Sequence, residues 1–276
     1  MFDTLTGSLF ERITRLARAR WGLSLTERKF SLVQNRLTSH LRKSGGTIEE
    51  WVQRIEKSPS ESDMLLFFDI LSTNVTSFFR DSTHFDFLER ELWTPLARGQ
   101  RTAAGRKIRF WSAACSTGAE PYSIAMQALE LLPPEQRWDV KVIGSDLSSK
   151  ALAAARAGVF PESQLAGLSP ERRKRWLTPS PKSSEPEWSI RPEVRALVEF
   201  RQHNLMDPPH AIGGPFDCIM LRNCMIYFDR ETREEVVHRM HSMLKPGAWL
   251  IVGSAETLSS LKVPFKTTAA SIYTKE

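Results

Sequence analysis

The sequence predicts an α/β protein. It should hold a largely parallel sheet with helices on both faces, an N-terminal helical domain, and a small inserted antiparallel β-subdomain. Three observations carry this expectation. Over the first 72 residues, apolar side chains recur at helical spacing. From about residue 107, β-rich runs alternate with helical ones. One stretch, 158–200, breaks the alternation with Pro161, Pro170, Pro179, Pro181, Pro186 and Pro192.

The helical domain is read as residues 1–72. Ser24-Leu-Thr-Glu27 and Thr47-Ile-Glu-Glu50 both fit the capping box, in which side chains satisfy open N–H groups at a helix start. After the first box, Phe30, Val33, Leu37 and Leu41 form an apolar face, and Gly45-Gly46 ends the helix. Lys29, Arg36, His40 and Lys43 fall on another face, which reads equally as solvated surface or as a docking stripe. A further helix runs through MLLFFDILS. The segment 73–106 follows as a linker, with a helix resuming near Asp81 or Ser82.

Residues 107–276 carry the sheet. KIRFWSA, WDVKVIGSD, FDCIMLRN and AWLIVGSAE read as strands. PYSIAMQALELL, SSKALAAARAG and REEVVHRMHSMLKPG read as the covering helices, the last ending at its Pro and Gly. The connections should be right-handed crossovers. A bare connector as long as 158–200 is rare in a compact domain. It is therefore read as the inserted subdomain, with WSI and ALVEF as its strands and a flexible tip at 180–187.

Composition narrows the class. At 41% hydrophobic and 25% charged, the chain resembles ordinary globular proteins. No apolar run approaches the roughly 20 residues of a membrane span. The first residues place charge after an apolar start, the reverse of a secretory signal, so a cytoplasmic protein is expected. Cys115, Cys218 and Cys224 lack metal-site spacing and are expected to be buried. The net charge is +6, and residues 1–60 hold eleven Lys/Arg against six acids. A basic end calls for an acidic partner: nucleic acid, membrane surface or protein.

In open parallel sheets, ligands bind at the carboxyl ends of strands, where strand order reverses. The first such end is WSAACSTGAEP. It has one glycine, Gly118, and a carboxylate, Glu120, with Pro121 suited to a first helical turn. There is no GxGxxG or Walker pattern. A phosphate site would avoid Glu120, whereas a ligand with an ammonium or sulfonium group would accept it. Asp146, ending the second strand, suits two ribose hydroxyls or a helix cap. Asn204 follows ALVEF, near the adenine of such a ligand. Arg222-Asn223, with Tyr227 a turn later, stands by its reactive end. Asp207-Pro208-Pro209 imitates a nucleic-acid amino-methyltransferase motif, but His210 replaces the aromatic residue and the motif precedes its strand. The set suits a nucleoside with an amino-acid tail and no phosphate, such as S-adenosylmethionine.

The stretches TNVTSFFRD, WSAACSTGAEPYSIAM, GSDLSSKAL, LRNCMIYFD and LKPGAWLIVGSAE, in that order, resemble the CheR-type chemotaxis receptor methyltransferases. The resemblance covers nearly the whole chain. It implies a class I, Rossmann-like, S-adenosylmethionine-dependent fold, with a β-subdomain inserted late in the sheet and 73–106 lying over the cofactor. It implies methylation of glutamate side chains on the cytoplasmic helical region of chemoreceptors, with S-adenosylhomocysteine as product. By resemblance, Asn74, Thr76, Arg80, Glu120, Asp146, Asn204, Leu205, Arg222 and Asn223 contact the cofactor, and Arg80 and Tyr227 stand near the transferred methyl. Lys29, Arg36, His40 and Lys43 would then dock the acidic receptor helix, and the insert resembles a receptor-tethering subdomain. Neither a metal, a nucleic acid partner nor membrane insertion is expected, and the chain should be a monomer. One departure is Ala119, where the family often has a second acid. The competing readings are a class I methyltransferase acting on nucleic acid or a small molecule, and a non-catalytic receptor-binding module.

Overall fold

A computed structural model describes residues 4–72, 75–101, 103–180 and 186–276. Four helices open the chain: α1 (Gly7–Trp21), α2 (Phe30–Ser44), α3 (Ile48–Lys57) and α4 (Glu61–Leu71). Their apolar faces meet in one core that includes Ile13, Val33, Leu37, Trp51 and Phe67. Thr47 and Glu50 form the expected capping box at α3, and Ser60 with Asp63 forms another at α4.

The box at Ser24–Glu27 does not form. A single 3₁₀ turn, Glu27–Lys29, stands before α2 instead, with no side-chain cap. Tertiary pairing has claimed that segment. The Ser24 N–H donates to the Tyr227 carbonyl at 2.7 Å, and Leu23 bridges to Phe228. A backbone donor engaged across 200 residues is not available to a local cap.

After α5 (Ser82–Leu88), a π-helical turn at Glu89–Trp93 and α6 (Thr94–Ala97), the sheet begins. It alternates as β1 (Lys107–Ala113), α7 (Ala119–Leu131), β2 (Asp139–Asp146) and α8 (Ser149–Ala157). The insert follows as β3 (Val159–Pro161), α9 (Pro170–Trp176), β4 (Leu177–Pro179) and β5 (Glu187–Ile190), with α10 (Pro192–Arg195) closing it. The main sheet resumes with β6 (Val198–Gln202), β7 (Phe216–Leu221), α11 (Arg230–Met243) and β8 (Leu244–Val252), then the hairpin β9 (Phe265–Ala269) and β10 (Ile272–Lys275). Strand order is β6-β2-β1-β7-β8-β10-β9. Neighbours among the first five are parallel, and β10 runs antiparallel to both β8 and β9. The chain steps outward from β1 in one direction and then in the other, so the loop after β1 sits at the reversal point.

Strand alternation separates two cores. Cys218 and Met220 face the layer holding Leu88, Trp93 and Ile124. Ile219 and Leu221 face the layer holding Val237 and Met240. All three cysteines are buried.

Three sequence expectations need correction. ALVEF is not a strand of the insert: β6 pairs in parallel with β2 of the main sheet, from Val142–Val198 to Asp146–Gln202. Its Phe200 fills the space beside Gly118 and Gly144, where an added Cβ would lie within about 3 Å of the ring. The insert therefore interrupts the second crossover, between α8 and β6, rather than coming late in the sheet. Its three strands, in order β3-β5-β4, are antiparallel as expected. Finally, α11 ends at Met243, and Lys245-Pro246-Gly247 belongs to β8. The backbone turns extended at Leu244, two residues before a proline that disfavours helix in its predecessor.

The insert also grips the segment leading to Arg80. Phe78 packs edge-on against Phe160 at 4.8 Å, and the Arg172 guanidinium lies 3.8 Å from the Phe79 ring centroid. Glu130 of α7 fixes that guanidinium through bonds of 2.8 and 3.1 Å. A Cβ added at Gly167 would stand 1.8 Å from the Phe78 carbonyl oxygen, a backbone atom that no rotamer change can move. Gly167→Ala should therefore destabilise the protein by about 1–3 kcal/mol and speed amide exchange across 78–81. Thermal unfolding and hydrogen exchange check both. Unchanged exchange there would show that the insert does not hold this segment.

Candidate active site

A cleft of about 1080 Å³, counted with its open mouth, lies between the helical domain and the carboxyl ends of β1, β2 and β7. Trp21, Leu23, Leu25, Phe68 and Leu71 wall it on the helical side. The sheet side presents Ala114–Ser116, Glu120, Asp146, Asn204, Leu205, Arg222, Asn223 and Tyr227, and Thr76 and Arg80 border it from the linker. Every site residue expected from the sequence lines this cleft except three of the docking stripe and Asn74, which lies outside the described residues.

The loop after β1 turns through left-handed residues at Ala114 (φ 62°), Ser116 (φ 52°) and Gly118 (φ 90°). At Gly118 a side chain would also meet Ala155 at 2.9 Å. Its glycine thus serves helix–strand packing beneath the site as well as the turn. The turn brings Ser112, at the end of β1, to Glu120 on the first turn of α7, with Oγ donating at 2.6 Å.

Asp146 ends β2 almost fully buried. Its two oxygens accept the Ser116 and Ser148 N–H groups at 2.8 and 2.9 Å. Burial raises its pKa above the usual carboxylate range, against the lowering effect of those bonds. The helical domain reaches this corner too, because Ser148 Oγ donates to Asp69 of α4 at 2.5 Å.

Arg222 is the hub of the other end. Its side chain is only 3% exposed, and it donates to Glu120 at 2.9 Å, to Asp81 at 2.7 Å and to the Arg80 carbonyl. One residue thus ties β7, α7 and the 80–81 segment together. The Glu120 charge, read from the sequence as facing a ligand cation, is already shared with Arg222. Arg80 itself donates to the Val75 carbonyl at 3.2 Å.

Asn223 adopts a left-handed φ of 59°. Its N–H donates to the buried Glu256, which also accepts from Gly253 and Ile226. Asn204 is engaged within the protein: Nδ2 donates to the Arg20 carbonyl, and Oδ1 accepts from Met206, each at 3.1 Å. Tyr227 stands at the far side of the cleft, and burial, first among several influences, raises its hydroxyl pKa.

The basic stripe is divided. Lys29 points into the cleft, with Nζ 3.9 Å from the Tyr227 ring centroid. Arg36 turns to the end of α4, donating to the Ile70 carbonyl at 2.9 Å and also to that of Ser72. His40 is half-buried, and Lys43 is exposed on the outer surface.

Sequence reasoning gave no role to Asp81, Ser112 or Glu256. Asp81 and Glu256 carry a local signal, each being the acid that ends a motif, SFFRD and VGSAE. Asp81 meets Arg222 across 141 residues and Glu256 meets Asn223 across 33, and no local pattern encodes those contacts.

Comparison with known proteins matches residues 74–274 to the family described as CheR methyltransferase, SAM binding domain. The chain is 36% identical over 273 residues to the chemotaxis protein methyltransferase of Salmonella typhimurium, covering 98% of this chain and 90% of that one. It is 38% identical over 251 residues to chemotaxis protein methyltransferase 2 of Pseudomonas aeruginosa, covering 89% and 84%. Against the chemotaxis protein methyltransferase of Borreliella burgdorferi the identity is 32% over 260 residues, covering 94% and 91%.

Proposed function

The chain belongs to the CheR methyltransferase family, and on that footing we propose that it methylates glutamate side chains on the cytoplasmic helical region of bacterial chemoreceptors. The donor is S-adenosylmethionine, and the products are a glutamyl methyl ester, used for sensory adaptation, and S-adenosylhomocysteine. The observation that carries this reading is the meeting in one cleft of Arg80, Glu120, Asp146, Arg222 and Tyr227, drawn from four separate segments.

The donor set suits that cofactor. The loop after β1 leads to Glu120 and Asp146 ends the next strand, so carboxylates stand where a phosphate would be repelled. Asp146, held rigid by two backbone N–H groups, is set to accept ribose hydroxyls. Glu120 and Arg222 match the ammonium and carboxylate of an amino-acid tail. Asn204 and Leu205 border the adenine end. When bound, the cofactor supplies an electrophilic methyl group on a sulfonium.

The acceptor needs little activation. A glutamate carboxyl has an ordinary pKa of about 4.3 and is ionised at neutral pH, so no general base is required. The work left to the protein is alignment and exclusion of water. Leu23, Leu25 and Phe68 supply apolar walls for the second task. Charge is neutralised as methyl transfer proceeds, so a tight ionic clamp on the acceptor would favour the starting state. Arg80 accordingly orients groups around the reacting centre, and Tyr227 shapes the acceptor's approach.

The test is transfer of labelled methyl to purified receptor cytoplasmic fragments. The label should be released by mild base, as a glutamyl ester requires, and Arg80→Ala and Tyr227→Phe should each slow transfer at least about tenfold. Label appearing on nucleic acid but not on receptor fragments would sink the reading. Full activity in both variants would remove the assigned roles.

A further inference from the structure

We infer that Lys29 belongs to the catalytic site itself, where its ammonium group binds the carboxylate of the acceptor glutamate against the face of Tyr227. The inference rests on the activity proposed above and names the group that recognises its substrate.

Lys29 is not a loose surface lysine. It ends the 3₁₀ turn Glu27–Lys29 that leads into α2, and its N–H donates to the Thr26 carbonyl at 2.9 Å. The preceding residues are stitched to the turn that carries Tyr227, through the bond from Ser24 to the Tyr227 carbonyl and the bridge between Leu23 and Phe228. Lysine and tyrosine thus come from separate domains but are registered by backbone pairing. The ammonium lies over the ring face, where the negative quadrupole of the aromatic system attracts a cation.

The charge balance of the cleft singles it out. Arg222 has two carboxylate partners. Among the described residues, Lys29 and Arg80, which also line the cleft, make no ion pair with any carboxylate, although Arg80 donates to the Val75 carbonyl. Lys29 is half-buried, and burial followed by the nearby Arg36 charge lowers its pKa. The acceptor end therefore carries a desolvated positive charge with an aromatic face but no anion. A carboxylate entering beside Tyr227 would complete it. A carboxamide of the same shape would not, so the lysine would also separate glutamate from glutamine.

Such a contact acts mainly on the bound acceptor, whose charge is lost during the reaction. Its removal should therefore raise KM without lowering kcat, and kcat should rise to the extent that the contact is lost at the transition state. The geometry also separates contact from remote steering, because steering between exposed charges is screened by salt and a contact inside the cleft is screened far less.

The experiment compares wild type, Lys29→Arg and Lys29→Met on a purified receptor cytoplasmic fragment. The glutamate form serves as acceptor and the glutamine form as a non-reactive ligand. Lys29→Met should raise the acceptor KM about tenfold to a hundredfold, with kcat equal to or above that of wild type. The defect should persist at about 1 M salt, where the screening length is roughly 3 Å. Wild type and Lys29→Arg should bind the glutamate form more tightly than the glutamine form, and Lys29→Met should bind both alike. The inference is overturned if Lys29→Met keeps its KM or its preference for glutamate, if the defect vanishes at high salt, or if Lys29→Arg loses the preference as well. Should wild type transfer no methyl, the activity reading falls. The glutamate-over-glutamine preference, measured without turnover, then still decides the role of Lys29.

Discussion

An Arg222→Met protein is expected to lose about 3–5 kcal/mol of stability together with its affinity for S-adenosylmethionine. Methionine matches much of the arginine's volume, so the loss is not one of packing. It comes from what stays behind. Glu120 and Asp81, with side chains 11% and 28% exposed, would face each other across the site without the cation that separates them. Removing one member of a buried ionic network costs more than the network contributes, because the remaining charges keep their desolvation penalty. The Arg80 carbonyl also loses its donor. Against a typical total of about 5–15 kcal/mol, this is a large share.

The same substitution has a pH signature. Burial raises the Asp81 pKa, but bonds from Arg222 and Ser254 outweigh it, and the folded value lies below the ordinary one. A depressed carboxyl pKa stabilises the fold above the unfolded pKa, near 3.9, and that contribution fades as pH falls through the folded value. In Arg222→Met the Asp81 carboxylate loses its cation, and protonation relieves it. The stability gap between wild type and variant should therefore be widest near neutrality and narrow below about pH 4. Urea unfolding at several pH values, with calorimetric titration of the cofactor at neutral pH, checks both parts. A variant within about 1 kcal/mol of wild type at pH 7 would show that the network is not the keystone of the site.

Glu256→Ala should have the second largest effect, near 3 kcal/mol if two of its three bonds are left without a substitute. Glu256 is buried and accepts the N–H groups of Gly253 at 2.7 Å, Asn223 at 2.9 Å and Ile226 at 3.2 Å. Those three donors surround a chain reversal in which Asn223 holds φ at 59°. Asparagine tolerates that conformation better than most residues, and the carboxylate fixes the turn by accepting the Asn223 and Ile226 N–H groups. Without it the 222–227 turn should relax, carrying Asn223 and Tyr227 away from the cleft. Turnover on receptor fragments should fall by more than the unfolded fraction accounts for. Glu256→Gln keeps one acceptor oxygen but turns an NH₂ group toward an N–H donor, so it should fall between alanine and wild type. A fully active alanine variant with lowered stability would confine Glu256 to a structural part.

Much of this site is legible in the sequence alone, because its chemistry is local. A strand, a loop with Glu120 and Pro121, and a helix follow one another without interruption, and Asp146 closes the next strand. Cleft lining by these residues needed only the rule that ligands sit at strand ends. What stayed hidden depended on partners distant in sequence. The Ser24–Glu27 box satisfies every local requirement, but Tyr227 takes the Ser24 donor. ALVEF has no feature that distinguishes an insert strand from a sheet edge, and only the crossover from β2 decides it. Helical periodicity assigned Lys29 and Arg36 to one face of α2, but periodicity does not reveal what covers a face. There the structure placed an aromatic ring and the end of α4.

The cleft has a further consequence for how this protein divides into parts. The family match begins at residue 74, yet Trp21, Leu23, Leu25, Phe68 and Leu71 form one side of the cleft, and Asp69 reaches the Ser148 hydroxyl. The stretch matched to that SAM binding domain is therefore smaller than the stretch that makes a working vessel, although the relatives match the helical part as well. Excised at that border, the sheet would keep its floor of polar side chains and lose a wall. The result would be an open shelf, wet where the reaction needs dryness, with apolar groups such as Leu147 and Leu205 newly exposed. Experimenters trimming this enzyme to its named domain should expect a sticky, inactive fragment.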